Sequence, residues 1–356
     1  MRLFICLFVL FFAVGGRAVA EELTEHGEEF NATEMIMHHI GDSHEWHIIS
    51  FNAGAENEFS VTMPLPVILW HNNGLHVFMS SKFHNEKIIA LGDDYAVLEH
   101  GHIYITDASG TLVHDENGAV TNASPLDFSI TRNVASMLLG FAILLLLFGT
   151  AANGYAKRGG LSVPKGIQLL VEPAVLFIRD DIVREQIHSK RKADFFMPYL
   201  LTLFFFILIN NLIGLVPFFP GASNLSGNIS FTLTLAVISF LTINIFASKN
   251  YWKHTFLAPG IPLPIKIFIV PVEIIGLFTK PFALMLRLFA NITAGHIIIL
   301  SLTSIVFVLG TVAASPLTII LSLMMYCLEF LVAFLQAYIF TLLTTLFIGI
   351  AVNDAH

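Results

Sequence analysis

The chain has 356 residues, 55% of them hydrophobic and only 12% charged, with a mean hydropathy of +0.75. Soluble domains carry about 25% charged residues, so this composition excludes an ordinary soluble protein and points to a polytopic membrane protein. The net charge of −8 comes with no basic stripe of the nucleic-acid-binding kind, and the two cysteines, Cys6 and Cys327, both sit in apolar runs, which excludes a disulfide framework.

Residues 1–20 read as a signal peptide. Arg2 starts it, Ile5 to Val14 is a short apolar core, and Ala18-Val19-Ala20 suits cleavage. Residues 21–131 then form an extracytoplasmic acidic, His-rich domain, with 18 acidic residues against 2 basic ones and 11 of the 15 histidines. Its first part, up to His47, reads as one or two acidic helices. Later runs alternate like strands: PLPVILW, GLHVFMS, KIIALG, HIYITD and GTLVHD. Turn signals such as Asn72-Asn73-Gly74 and Gly92-Asp93-Asp94 separate them. The expectation is a small α+β or mostly β domain. His38, His39, His44 and His47 invite a metal reading, but their spacing fits no familiar zinc pattern. We read them as surface histidines and expect no metal.

Residues 132–356 read as the membrane domain. The first span is expected at 133–152. Eight basic residues follow (Lys157, Arg158, Lys165, Arg179, Arg184, Lys190, Arg191 and Lys192) and place this stretch on the cytoplasmic side. Within it, 165–188 is amphipathic and suits a helix along the membrane surface. Spans are next expected at 195–216, with the polar pair Asn210-Asn211, and at 229–247. The loop between these two lacks Lys and Arg. The loop before Pro264 is basic and proline-rich, hence cytoplasmic. The last two helices, 267–309 and 317–352, are long. The first would reach about 60 Å against a hydrocarbon core near 30 Å, so each helix kinks or the pair forms a tilted hairpin. The C-terminus is then cytoplasmic.

The first long helix carries charges that cost about 2.5–3.5 kcal/mol each near a bilayer centre. Glu273, Lys280, Arg287 and Ala294 are seven apart and share a stripe, with Asn291 one turn beyond Arg287. Arg287 is the last Lys or Arg in the chain. The second long helix carries Glu329 and, seven residues on, Gln336, with Ala333 between. A hairpin would bring Arg287, Asn291, His296, Glu329 and Gln336 toward one seam, and a His beside a Glu in a membrane suits a proton relay. Arg287 lies about 21 Å along the helix from Glu273. Glu273 is therefore expected near the cytoplasmic end and His296 toward the outside.

KPFALMLRLFANITAGH closely resembles the signature helix of the a subunit of F-type ATP synthases. LEFLVAFLQAYIFTLL resembles that subunit's final helix, and INNLIGLVP its earlier hairpin. The likeness runs from about Phe195 to Asn353, with weaker support from Asn133. It implies that Arg287 faces the rotating ring of c subunits, with Asn291 and Gln336 as polar companions. It implies an outer half-channel lined by His296, Glu329 and Asn211, and a cytoplasmic one near Glu273. The His–Glu order is that of mitochondrial members. Where some members carry an aspartate three residues after the asparagine, this chain has Gly214, which departs from the pattern at the mouth of the outer path. Implied partners are the c-ring, b-type peripheral stalk subunits, the rest of the complex and the bilayer, in a bacterial plasma membrane. No cofactor is implied, no nucleic acid, and no catalysis by this subunit alone; no GxxxxGK[ST] run is present. A substrate transporter would instead predict internal repeats, and a membrane-anchored sensor a cytoplasmic module. The longest cytoplasmic stretch is only about 40 residues, and no repeat is evident.

Overall fold

The computed structural model describes residues 41–51, 59–85, 88–99, 101–115, 120–158, 163–216, 219–221, 223–257, 262–309 and 315–353. The expected signal peptide, the acidic helical segment up to residue 40, His38 and His39 lie outside these. The architecture is mainly helical, with a β region ahead of the helices. The strands are β1 (Glu45–Phe51), β2 (Phe59–Pro64), β3 (Pro66–His71), β4 (Gly74–Met79), β5 (Ile89–Leu91), β6 (Asp94–Glu99), β7 (His102–Thr106) and β8 (Leu126–Asp127), with a short helix α1 (Ser81–Asn85). The helices that follow are α2 (Arg132–Arg158), α3 (Ile167–Phe177), α4 (Arg184–Gln186), α5 (Lys190–Gly214), α6 (Ile229–Ile245), α7 (Lys249–Leu257), α8 (Leu263–Leu309) and α9 (Ser315–Val352). Four of them are long and apolar enough to cross a membrane, or five spans if the bent pair α6–α7 counts as one.

The chain divides into two compact units. The first holds the described residues up to Met137, with 213–224 and 296–327. Its strands form a β1–β2 hairpin and the antiparallel sheets β4-β3-β8 and β5-β6-β7. The β3–β4 turn uses Asn72 and Asn73 at φ 47 and 59, the left-handed pair that a two-residue hairpin turn requires. Val67, Leu69, Ile89, Leu91, Ala96 and Ile103 form the core between these two sheets. The structure corrects several expectations here. GTLVHD forms no strand, only the isolated bridge His114↔Val120. The helical reading up to His47 fails at its end, because Glu45-Trp46-His47 already belongs to β1, whose Ile, Phe and Trp residues favour a pleated strand. His44 is not a surface histidine: it is 4% exposed and its Nε2 donates to Asp127 Oδ2 at 2.8 Å.

The start of α2 is tied to the β region. Asp42 Oδ1 accepts from Ser43 N (2.9 Å) and from Asn133 N (3.1 Å). Arg132 N donates to the Ser43 carbonyl at 2.8 Å, and the Arg132 guanidinium donates to the Gly41 carbonyl. An acceptor for the free N–H groups at a helix start is normally supplied by the capping residue itself; here Asp42, 91 residues away in sequence, supplies it. Trp46 packs edge-on to Phe219 at 5.1 Å, and its indole N–H reaches the Gly221 carbonyl at 3.3 Å.

The second unit holds 138–212, 225–295 and the described residues from Leu328 on. Leu200, Ile207, Leu288 and Ile348 are among the side chains that fill its core. The amphipathic stretch expected as one helix at 165–188 is broken. It runs as α3, a π-helical segment Ile178–Val183, then α4. Asp180 braces the wide turn, pairing with Arg179 (2.8 Å) and Arg184 (2.7 Å). Those arginines hold its carboxyl below the usual carboxylate range, Arg179 first, against desolvation. The basic loop before Pro264 contains α7, bent 101° from α6 and secured by Ser248 N on the Ala351 carbonyl at 2.8 Å. The end of α9 is held by Lys192 Nζ on the Val352 carbonyl (2.7 Å) and by Asn353 Nδ2 on the Gln186 carbonyl (3.0 Å).

Candidate functional site

Helix α8 is unbroken over 47 residues although Pro271 and Pro281 lie inside it. Its periodicity sorts the residues singled out in the sequence. Leu284, Leu288 and Ile292 are buried at 2%, 1% and 5% exposure, and form the packed side. On another face Ala283, Arg287, Ala290, Asn291 and Ala294 are all exposed. Arg287 therefore projects from a face of small side chains. Among the described residues no carboxylate lies within ion-pair range of it, neither Glu273 nor Glu329 included. Glu273 is also exposed. Lys280 is half-buried, with Nζ 5.4 Å from the centroid of the Phe347 ring.

Helix α9 reverses this sorting. Glu329 (2% exposed), Ala333 (0%), Gln336 (3%), Ala337 (0%) and Phe340 (3%) form a buried stripe at helical spacing. The Glu329 carboxyl lies against Gly295 of α8: a Cβ built at Gly295 would stand 2.8 Å from Oε1 and 3.1 Å from Cδ. Glycine at 295 thus provides the space that the buried acid occupies, immediately before His296, which is partly buried. The single seam anticipated from the sequence resolves into two settings, with Arg287 and Asn291 on an open face and Glu329 and Gln336 on a closed one.

Asn211 of α5 is 4% exposed. Its Oδ1 accepts from Ser226 Oγ at 2.5 Å, and its Nδ2 donates, at a long 3.4 Å, to the carbonyl of Ala333. Asn211 therefore abuts the buried stripe of α9 between Glu329 and Gln336. Ser226 was not singled out in the sequence; a serine in a polar loop gives no signal until its partner 15 residues away is known. Neighbouring Asn210 fills the space over Gly140, where a Cβ would come 2.5 Å from its Oδ1. The departure at Gly214 also has a physical reason. A Cβ there would meet the Ser223 carbonyl at 2.8 Å, so backbone occupies the place of a side chain.

Comparison with known proteins identifies the family. Residues 134–349 match the family described as ATP synthase A chain, and residues 35–128 match a Domain of unknown function (DUF8433). A protein of Chloroherpeton thalassium named ATP synthase subunit a is 50% identical over 65% of this chain and 70% of its own length. One of the same name from Chlorobium phaeobacteroides is 46% identical over 65% and 67%. Another, from an Anaeromyxobacter species, is 35% identical over 91% of this chain and 72% of its own, so its likeness extends through the β region. The chain belongs to the ATP synthase subunit a family.

Proposed function

We propose that this chain conducts protons between two half-channels and presents Arg287 to the ring carboxylates of a rotary F-type ATP synthase, so that ion flow turns the ring. The observation that carries the reading is the exposed Arg287 on a face of alanines in a long apolar helix. A guanidinium keeps its charge at any working pH, and a charge at mid-bilayer costs about 2.5–3.5 kcal/mol unless something answers it. Small neighbours let another helix approach closely. What suits that face is an apolar partner helix bearing one carboxylate.

The mechanism follows from charge. A ring carboxylate is neutral while it faces lipid, because a buried anion is too costly. Beside Arg287 the anionic form is favoured, so the proton leaves into one aqueous path and is replaced from the other. The fixed cation also repels protons that would short-circuit the two paths. Each proton crossing 100 mV brings about 2.3 kcal/mol, so several must pass for each ATP. We assign Glu329, Gln336, Asn211 and His296 to the outer path, Glu273 to the cytoplasmic path, and Asn291 to the ring-facing side beside Arg287. The chain contributes no catalysis alone. It works with the ring of c subunits, b-type peripheral stalk subunits and the rest of the complex in a bacterial plasma membrane, with residues 21–131 outside, following a signal peptide at 1–20, and the C-terminus inside.

ATP-driven acidification of inverted membrane vesicles tests this. With assembly verified, Arg287→Ala should abolish pumping while the wild type pumps. Undiminished pumping by the assembled variant would remove Arg287 from the mechanism.

A further inference from the structure

The β region has an anomaly that the ion path does not use. An antiparallel sheet with one face on a core normally turns a polar face to water. Sheet β5-β6-β7 keeps near this rule: its inner face carries Ala96, Leu98, Ile103 and Ile105, and its other face Tyr95, Val97, Glu99, His102, Tyr104 and the buried Thr106, none of them an exposed large apolar side chain. Sheet β4-β3-β8 does not. Its inner face buries Val67 and Leu69 completely. The register Trp70↔Leu75, Ile68↔Val77, Pro66↔Met79 and Trp70↔Leu126 gathers apolar side chains on the outer face. Trp70 (43% exposed), Leu75 (58%), Val77 (61%), Met79 (44%), Leu126 (62%) and Phe128 (65%) stand open there. Contiguous apolar patches of this kind mark interaction surfaces.

We propose that this face rests on the phospholipid surface that α2 enters, with Trp70 and Phe128 at the level of the headgroups. Chain continuity holds the face near that surface. Phe128 N donates to the Ile68 carbonyl (2.8 Å) and Ile130 N to the Pro66 carbonyl (3.0 Å), so the edge of the sheet is pinned until two residues before α2 begins. From Phe128 to Arg132 is four residues, at most about 14 Å of chain. The headgroup layer adds about 5–8 Å to each side of the hydrocarbon core. The edge of the apolar face is therefore held within reach of that layer. Its composition fits: aromatic rings favour membrane–water boundaries, and none of the six side chains is charged. Electrostatics acts against the contact, since residues 21–131 carry 18 acidic and 2 basic residues. The attraction is therefore apolar, and anionic lipid should weaken it in a salt-dependent way.

The proposal rests on α2 entering the bilayer, and the test separates the two. The assembled complex is reconstituted in phosphatidylcholine vesicles with Cys6→Ser and Cys327→Ser in the full chain. A nitroxide is placed in turn at Val77→Cys, at Tyr104→Cys on the other sheet, and at Leu145→Cys on the exposed side of α2. Power saturation then reads collisions with oxygen, which concentrates in lipid, and with a water-soluble nickel chelate. The label at 77 should follow the one at 145, gaining oxygen access and losing nickel access, while the label at 104 does the opposite. Nickel access at 77 equal to that at 104 overturns the proposal. So does shielding from both quenchers, which would mean that protein covers the face, this chain's own residues 21–40 included. Loss of oxygen access at 145 would instead remove the membrane reading of α2, and the proposal with it. Leu75→Cys, on the same face, reads the same contrast if Val77→Cys fails to assemble.

Discussion

Gly295→Ala tests the closed setting of Glu329 with a single methyl group. The added carbon would stand 2.8 Å from Glu329 Oε1, 3.1 Å from Cδ and 3.3 Å from Cγ, where ordinary contact begins at 3.4 Å. The carboxyl must retreat by about 0.6 Å from a site where its residue is only 2% exposed. Overpacking of this kind costs about 1–3 kcal/mol. If the strain falls on the proton-carrying position of the acid, flux should drop by about 5- to 150-fold. Gly276→Ala is the internal control, because a Cβ there meets nothing within 4 Å. Glycine to alanine inside a helix otherwise stabilises by about 0.5–1 kcal/mol, so helix propensity alone makes both variants at least as good as wild type. The assay is ATP-driven vesicle acidification normalised to assembled complex. Adding Glu329→Asp, which shortens the side chain by one methylene, should make the double variant faster than the product of the two single losses. Wild-type pumping by Gly295→Ala, or an equal loss in Gly276→Ala, would refute the reasoning.

Two further outcomes follow from the geometry. Removing Ser226 Oγ leaves Asn211 Oδ1 without its 2.5 Å donor. Ser226→Ala should therefore lower the thermal stability of the solubilised complex by about 1–3 kcal/mol, whereas Thr234→Ala, whose hydroxyl bonds only the Ser230 carbonyl of its own exposed turn, should not; equal effects would sink the idea. At Asp127, partial burial works to raise the pKa, but hydrogen bonds from His44 and from the Ser129 side chain and backbone outweigh it and bring the group down to about 2 from 3.8. A depressed carboxyl stabilises above its unfolded value and loses that contribution as pH falls, here from about 4 to about 2. The full shift corresponds to roughly 2–3 kcal/mol; with the Asp127 side chain 33% exposed we discount it to about 1 kcal/mol. Asp127→Asn should speed amide exchange in β3 at neutral pH and leave it unchanged near pH 2, and identical protection at neutral pH would discard the pairing.

How much of this was legible in the sequence depended on the range of the interactions. The long helices were legible because apolar length and periodicity are local. Arg287 stood out because a permanent charge in an apolar run is conspicuous without any partner. Strands β1, β2 and β6 were not singled out, since their pairing is set by residues elsewhere in the fold, and the acidic, His-rich lead-in to β1 suggested helix. Helix α7 was hidden by the prolines and lysines around it, which read as loop. Gly295 was the least legible, because its role is defined by Glu329, 34 residues away on the other helix. Glycine in a helix is a cost in isolation, and only the buried carboxyl opposite explains it.

The opposite surroundings of Arg287 and Glu329 bear on the reading as a whole. If the protein needed only a stable ion pair inside the membrane, the cheapest arrangement would bury the guanidinium against an acid of its own chain, since an unanswered charge is what burial penalises most. The chain has acids on both long helices, and Arg287 pairs with neither of them. It stands instead on the open, alanine-lined face. A permanently docked partner carboxylate would satisfy the cation but leave it inert. On the proposed reading the arrangement does work only if the partner acid comes and goes, meeting Arg287 as an anion and leaving as a neutral acid. The buried polar residues behind that face then serve to deliver the proton that makes departure possible. On that reading an exposed arginine and an enclosed glutamate are two requirements of one cycle, and a variant that enclosed the arginine with a carboxylate of its own chain should stop the cycle as surely as one that removed it.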